Sequence, residues 1–458
     1  MREIDFNNRL IFGNIFVKKN DSFVLLNLLS FRRMYVSQQD LETLLSCKEK
    51  RACGLELSAE ENTLYSSLKE KKQIIDDDLR SRFIEGKAKE YEENIEKITN
   101  KIGRITISPT FACNFNCTYC YQRKFQSKKD FLCTDAIDNI CQSLRVINRT
   151  ENYWEGITEV SINGGEPLQP QNIDTINRII HYFAKPGIEL SLLTNGYNIL
   201  KFKDKVDFSK FTSIQVSLDN IDPYTSKING VNYPVFREVL DGLSYLMKYD
   251  CLITVAAVLT EELFANIDEF IERLDSIGIV DNERCQINIT PITAFGKSTL
   301  DKSFYSIDDF IKIRKGLRLT KIPRNMSISG VPEARWISRA LARNANERID
   351  GRPSMCSIFK NRSLHFAPDG KIYWCLCVKP NTGTLGQFYP SVDVDEIGID
   401  KCIHKSIYSN DKCKSCEYQF LCSSGCPLHC VAATGDYDEP FCGFFFDPDF
   451  WRNLEELI

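Results

Sequence analysis

The sequence predicts an α/β protein: a partial (β/α)6 barrel, preceded by a winged-helix-like module and followed by a cysteine-rich domain. Three patterns lead there. From residue 104 onward strand-like runs alternate with amphipathic helices, the first eighty residues read as short strands and then helices, and after about residue 350 both periods give way to turns and cysteines. The corresponding boundaries are 1–78 for the module, 79–103 for a helical linker, 104–345 for the barrel and 346–458 for the cysteine-rich domain.

Within the module, residues 11–18, 23–29 and 33–36 are rich in β-branched and aromatic side chains and are separated by polar turns such as Lys19-Asn20-Asp21-Ser22, which predicts a three-stranded meander. Ser37 with Asp40, and Ser58 with Glu61, have the spacing of capped helix starts. Leu64, Leu68 and Ile75 fall near one face of the second helix. Residues 79–100 are charged and, apart from Gly86, free of Gly and Pro, so they read as a helical spacer separating the module from the chemistry.

In the barrel the expected strands are 104–108, 158–163, 189–194, 212–218, 252–258 and 285–290, with helices such as 134–146, 173–183, 235–248 and 263–277 between them. Six βα units in succession predict a parallel sheet curled into a partial barrel, with ligand loops at the carboxyl ends of the strands. Beyond residue 350 a bound metal is expected to substitute for an apolar core.

Composition bounds the partners. With 58 basic and 62 acidic residues well mixed and a net charge of -4, the chain has no field that would attract nucleic acid or an anionic membrane. No apolar run approaches the roughly 18 residues of a membrane span, and the acidic Glu3 and Asp5 stand where a secretory signal has basic residues, so a soluble cytoplasmic protein is expected. In a reducing compartment 19 cysteines point to metal binding rather than disulfides. They gather near residue 115 and between Cys356 and Cys442, whereas Cys47, Cys53, Cys133, Cys141, Cys251 and Cys285 stand alone and are expected to pack as small buried apolar groups.

Directly behind the first barrel strand, Cys113, Cys117 and Cys120 form a C-x3-C-x2-C loop. A 4Fe-4S cluster normally takes four thiolates, so three leave one iron open to a small molecule that chelates through an amine and a carboxylate. A zinc loop with a distant fourth ligand stays open on spacing alone. The ends of the next strands add to the pattern. Gly164-Gly165-Glu166-Pro167 follows the second strand, with two glycines that let backbone approach a ligand closely and Glu166 expected near the ligand amine. Thr194-Asn195-Gly196 closes the third strand, and Ser217 and Asp219 close the fourth, placed to hydrogen-bond a ribose or a methionine moiety. Turn formation accounts for each short match by itself; their order along the barrel is what makes a site.

The series C-x3-C-x-Tyr-C, Gly-Gly-Glu-Pro, Thr-Asn-Gly and Ser-x-Asp resembles the radical S-adenosylmethionine (SAM) superfamily over about 101–292. The resemblance implies that a reduced cluster donates an electron to the sulfonium, releasing methionine and a 5'-deoxyadenosyl radical that removes a substrate hydrogen. It also implies that Tyr119 and the 164–167 loop flank SAM. Further on, Cys356-x13-Gly370-x4-Cys375, then Cys413-x2-Cys416-x5-Cys422-x3-Cys426, then Cys442 resemble the seven-cysteine SPASM pattern. That implies two auxiliary clusters, one on Cys413, Cys416, Cys422 and Cys442 and the other on Cys356, Cys375 and Cys426, making three 4Fe-4S clusters in all. The second set lacks one thiolate: the iron is open to a substrate thiolate, or Cys377 or another residue completes it. Cys402 and Cys430 lie outside the pattern and are expected to pack.

Enzymes resembling this pattern modify peptides, and the amino-terminal module resembles a RiPP recognition element, which implies a partner: a precursor peptide whose leader adds as a strand to the exposed sheet edge. An electron donor such as flavodoxin or ferredoxin is implied as well. The expected reaction is thioether cross-linking of a precursor cysteine, because a thiolate on an open auxiliary iron is held beside the carbon radical. An anaerobic sulfatase maturase, forming formylglycine, is the second reading; it resembles this chain less, since Leu376 stands where that family has Asp. Carbon-carbon cross-linking and epimerisation stay open, as does a non-catalytic metal scaffold that binds peptide. The acid-base residue is open too, with Glu333, Asp369 and Tyr373 as unranked candidates.

Overall fold

The computed structural model describes residues 10–291, 323–328, 362–376 and 383–442, apart from 20, 29–31, 76, 98–100, 116, 118–119, 121, 123–129, 220–234, 260–262, 264, 404–405, 423–429, 431–438 and 441. The chain divides into two compact units: Met1–Ile98 with Val331–Cys356 and His404–Ile458, and Thr99–Gly330 with Ser357–Ile403.

The second unit is built on an 11-stranded sheet. Its centre is the predicted series, β5 (Arg104–Ile107), β6 (Glu159–Ile162), β7 (Glu189–Thr194), β8 (Ser213–Ser217), β9 (Leu252–Leu259) and β10 (Cys285–Pro291), paired in chain order and all parallel. The crossovers include α4 (Thr134–Asn148), α5 (Ile173–Phe183), α6 (Val235–Leu246) and α7 (Ile267–Ser276). On α5, Ile176, Ile179, Ile180 and Phe183 are buried, the spacing of one helix face laid on a sheet. By register Ile105, Val160, Leu190, Ile214, Ile253 and Ile287 lie on one face of the sheet and are sealed from solvent, whereas Ser191, Leu193 and Gln215 on the other face are only partly buried.

Both edges extend beyond the six predicted strands. β11 (Met326–Ile328) adds parallel to β10. On the other side β12 (Ser363–Phe366) pairs parallel with β5, and β13 (Lys371–Tyr373), β14 (Thr384–Gln387) and β15 (Asp393–Val394) continue antiparallel. A boundary at 346 therefore cuts through residues that the sheet joins: 357–403 belong with the parallel strands. That part of the cysteine-rich segment has an apolar core of its own, with Leu364, Phe366, Ile372 and Phe388 buried, where metal was expected to replace one.

In the first unit the meander has four antiparallel strands, not three: β1 (Leu10–Ile11), β2 (Asn14–Lys19), β3 (Ser22–Asn27) and β4 (Arg33–Val36). Phe12 and Gly13, both with positive φ, turn the chain between β1 and β2 inside what reads as one run. Helices α1 (Gln38–Ala52) and α2 (Ala59–Glu70) start on the predicted boxes, Ser37 with Asp40 and Ser58 with Glu61. Ile75 lies past the end of α2, against Gly13. Three buried amides tie the layers together: Gln73 donates to Asn14 Oδ1 at 2.8 Å, and the Gln73 carbonyl accepts from Asn14 and Asn27, each at 2.9 Å.

The expected spacer is helix α3 (Asp77–Lys97), but it is not a free spacer. Phe83 packs edge-on against Phe420 with ring centroids 5.9 Å apart, Tyr91 meets Tyr408 at 5.3 Å, and Arg80 pairs with Glu417 at 3.6 Å. These contacts bind the helix to the segment carrying Cys413, Cys416 and Cys422, through α9 (Asp411–Ser415) and α10 (Gln419–Cys422), which follow α8 (Glu396–Ile403). No helix among the described residues is long and apolar enough to cross a membrane.

Candidate functional site

The parallel pairing of β5 with β6 does not stop at the strand ends. Asn163 N donates to Ile107 O at 3.1 Å, Gly165 N to Thr110 O at 2.9 Å and Glu166 N to Ala112 O at 2.9 Å, so the backbone is zipped together up to the residue before Cys113. This is why two glycines stand here. A Cβ on Gly164, whose φ is +143°, would lie 2.3 Å from Thr110 O, and one on Gly165 would lie 2.1 Å from Ala112 O. The backbone leading into the Cys113 loop approaches both glycines this closely.

Glu166 stands at the end of this ladder. Its side chain is wholly buried; Oε1 accepts from Leu168 N at 2.8 Å and Thr194 Oγ1 at 2.7 Å, and Oε2 accepts from Asn195 N at 2.7 Å. Burial pushes the carboxyl up to about 7, against the pull of those three donors. Glu166 thus clamps the ends of β6 and β7 together. Thr194 is engaged with Glu166 and also accepts from Gly196 N at 3.1 Å. Asp219 is buried and accepts from Val258 N at 2.7 Å, tying the end of β8 to β9. Pro167 is buried, its carbonyl bonded to Asn172 at 2.9 Å.

The groups left facing outward are the sulfurs, Asn195 and Ser217. Cys113, Cys117 and Cys120 are each partly exposed, and Ser217 is exposed at the end of β8. Cys120 N donates to Cys117 O at 3.3 Å, and Phe115 N donates to Cys113 Sγ at 3.3 Å, a contact that favours a thiolate. Asn195 Nδ2 donates to Asn114 Oδ1 at 2.8 Å and stands 4.0 Å from Cys113 Sγ. Burial pushes the Cys113 thiol up to about 12, with the Glu166 and Cys120 charges adding to the effect. Such a thiol is deprotonated by a bound metal rather than by solvent. Three soft sulfur donors on one loop suit an iron-sulfur cluster.

In the other unit Cys413 is buried, and Cys416, Cys422 and Cys442 are half-buried. Asn410 caps α9 by accepting from Lys412 N and Cys413 N at 3.0 and 3.2 Å, and Cys416 N donates to Cys413 O at 3.1 Å. Burial raises the Cys442 thiol, and the charge of Cys416 adds to that, which puts these two within electrostatic reach. Among the described residues no three Cys, His, Asp or Glu side chains converge as the ligands of one ion. In a cubane each thiolate meets a different iron, so its sulfurs stand farther apart than that. Tyr119, Cys356, Cys377 and Cys426 lie outside the described residues, as does the side chain of Cys402. Cys430 is buried, as are Cys47, Cys141, Cys251 and Cys285, but Cys53 and Cys133 are exposed because they stand at helix ends, after α1 and before α4. Tyr373 and Asp369 are bonded to each other, hydroxyl to carboxylate, at 2.6 Å.

One buried polar chain escaped the motif reading. Ser108 Oγ lies 2.8 Å from both Asn163 Oδ1 and His365 Nε2, and the His365 ring also shares a hydrogen bond with the Cys375 backbone. Burial holds this imidazole down to about 4, so it is neutral. A histidine placed among the apolar residues of β12 was the one available signal.

Residues 107–274 match the model of the Radical SAM superfamily, so the chain carries a radical SAM domain, the domain of an enzyme superfamily that uses SAM and a 4Fe-4S cluster. Among curated proteins, it is 25% identical over 249 residues to the GTP 3',8-cyclase of Nautilia profundicola, covering 51% of this chain and 70% of that protein. It is 33% identical over 144 residues to the GTP 3',8-cyclase of Agrobacterium fabrum, covering 30% of this chain and 39% of that protein. Among solved structures, Streptococcus suis SuiB bound to precursor peptide SuiA aligns with a TM-score of 0.53 at 15% identity, over 95% of this chain and 98% of that one. Native anSMEcpe with bound AdoMet aligns with a TM-score of 0.50 at 16% identity, over 77% of this chain and 95% of that one. At these identities the two structures share a fold with this chain.

Proposed function

We propose that this protein is a radical SAM peptide maturase that forms Cys thioether cross-links in a ribosomally made precursor. The observation that carries the proposal is the Cys113, Cys117 and Cys120 loop starting where Thr110 and Ala112 are zipped to the Gly164–Glu166 backbone, in a chain that also holds a separate four-stranded sheet and a second group of thiols. When bound, the reduced cluster and SAM supply a carbon radical that removes a substrate hydrogen. Cys113, Cys117 and Cys120 would hold that cluster. Glu166 and Asn195 fix the loop around it, and the exposed Ser217 is free to bond SAM. Cys413, Cys416, Cys422 and Cys442 would hold one auxiliary cluster, and Cys356, Cys375 and Cys426 would contribute to another.

Coverage supports a peptide substrate: the likeness to SuiB spans nearly the whole chain, whereas that to anSMEcpe spans 77%. The leader would pair with β4, the longer of the two outer strands. An electron donor of the flavodoxin or ferredoxin type would reduce the clusters. The sulfatase-maturase reading keeps one supporting fact, the anSMEcpe likeness, with Leu376 against it. Mass spectrometry of a precursor co-expressed with the protein tests the proposal. A loss of two hydrogens together with one thiol that resists alkylation is expected, and a product with every thiol alkylatable rules out the thioether.

A further inference from the structure

The amino ends of β9 and β10 lie at the opposite end of the parallel sheet from the Cys113 loop, and sulfur gathers there too. Cys285 opens β10 and is sealed from solvent; its Sγ lies 3.6 Å from the Sδ of Met247, the half-buried residue that follows α6. Cys285 is also the register partner of Ile253. Ile253, Val255 and Ala257 form the sealed face of β9, and Cys251, buried two residues before Ile253, continues it. Both thiols therefore stand on one face of neighbouring strands, offset by two residues.

That offset disfavours a disulfide. Strands about 4.8 Å apart with a rise of about 3.3 Å per residue put Cα atoms two residues out of step about 8 Å from each other, too far for an S–S bond without backbone movement. An ion between the sulfurs needs no such movement. A metal-sulfur bond of about 2.3 Å lets Cys285 and Met247, 3.6 Å apart, share one centre as they stand.

The donor types choose the ion. A thioether is neutral and polarizable, and thiolates together with a thioether select copper(I) over hard cations. The charges agree. Two thiolates and a monovalent cation sum to one negative charge, and the Arg284 guanidinium beside Cys285 supplies its balance. Arg284 donates to the carbonyls of Met247 and Tyr249 at 3.2 and 2.5 Å, which also fixes the turn that presents Met247.

We infer that Met247, Cys251 and Cys285 form a binding site for a soft monovalent cation of the copper(I) type, separate from the iron-sulfur thiols. The chain has five methionines, so methyl-labelled methionine NMR reads Met247 directly. Copper(I) is added anaerobically, in competition with a chromophoric chelator, to the iron-reconstituted full chain, and Met247→Leu identifies the signal. The Met247 methyl should shift and saturate with one copper bound while the iron count holds.

Met247→Leu, Cys251→Ser and Cys285→Ser should each raise the dissociation constant for that copper by roughly 10-fold or more. Cys141→Ser, at a buried thiol elsewhere in the same unit, should leave it unchanged. Leu matches Met in volume, so Met247→Leu decides the matter even where a serine variant fails to fold. A Met247 methyl that stays in place while copper is taken up, or that moves only as iron is displaced, overturns the inference and leaves the three sulfurs as packing. Unaltered copper affinity in Met247→Leu overturns it as well.

Discussion

The strand ends around Cys113 and the helical segment around Cys413 both present thiols, yet they are built by different means. At the first, a parallel sheet carries its own hydrogen-bond ladder into the loop, and the buried Glu166 carboxylate clamps the next strand end to it. At the second, Cys413 and Cys422 ride on helices of 5 and 4 residues, the first capped by Asn410 and the second braced from outside by α3. Such short helices do not stand alone in water. The difference teaches that the first site owes its geometry to the fold itself, whereas the second depends on a neighbouring helix and on the metal that its thiols would share.

The largest test of that contrast is Cys113→Ala, which should abolish release of methionine and 5'-deoxyadenosine, a loss of roughly 1,000-fold or about 4 kcal/mol of barrier. It should leave the auxiliary iron in place, as an iron count would show. Gly165→Ala comes next. Its Cβ meets backbone oxygens at 2.1 and 2.5 Å, so the loop must move, and SAM cleavage should fall roughly 100-fold although no ligating atom is changed. An unchanged rate would break the view that the glycines serve the Cys113 loop.

Glu166→Ala leaves Leu168 N, Thr194 Oγ1 and Asn195 N without their acceptor, an expected loss of about 3–6 kcal/mol in denaturant unfolding of the metal-free protein. The same residue sets a pH dependence. Its folded value near 7 lies above the ordinary 4.5, so the folded state holds the proton more tightly than the unfolded chain does. The resulting stabilisation is full below 4.5 and is lost as pH rises through 7; Glu166→Gln should flatten that slope.

Two smaller effects set the braced region against the amino-terminal module. Phe83→Ala removes the ring packed on Phe420 and should cost about 2 kcal/mol, with a lower yield of auxiliary iron than of the first cluster. Ser58→Ala deletes the cap of α2 and should lower stability by about 1 kcal/mol without touching iron content, which calorimetry and metal analysis together would establish.

Much of the second unit was legible because short strand-like runs, with apolar residues at every second position, alternate with amphipathic helices. β7 and α5 fall on the residues that periodicity marks, 189–194 and 173–183. The edges were not. β11 and β12 are short strands of 3 and 4 residues whose parallel partners, β10 and β5, lie far away in sequence, so no local period announces them. The turn at Phe12 and Gly13 divides what reads as one strand, where Gly13-Asn14 was the available signal.

The same division runs through the site. Residue types and spacing alone named the sulfurs, the two glycines, Glu166 and Asn195, because metal ligation and tight turns demand particular side chains at particular intervals. Which atoms those side chains touch was decided by tertiary structure. Close approach and buried hydrogen bonding depend on what a distant strand places opposite: Thr110 O against Gly164, Asn195 N against Glu166, His365 against Ser108. A one-dimensional pattern can mark a residue as special, but only the packing of strands far apart in sequence determines what it faces.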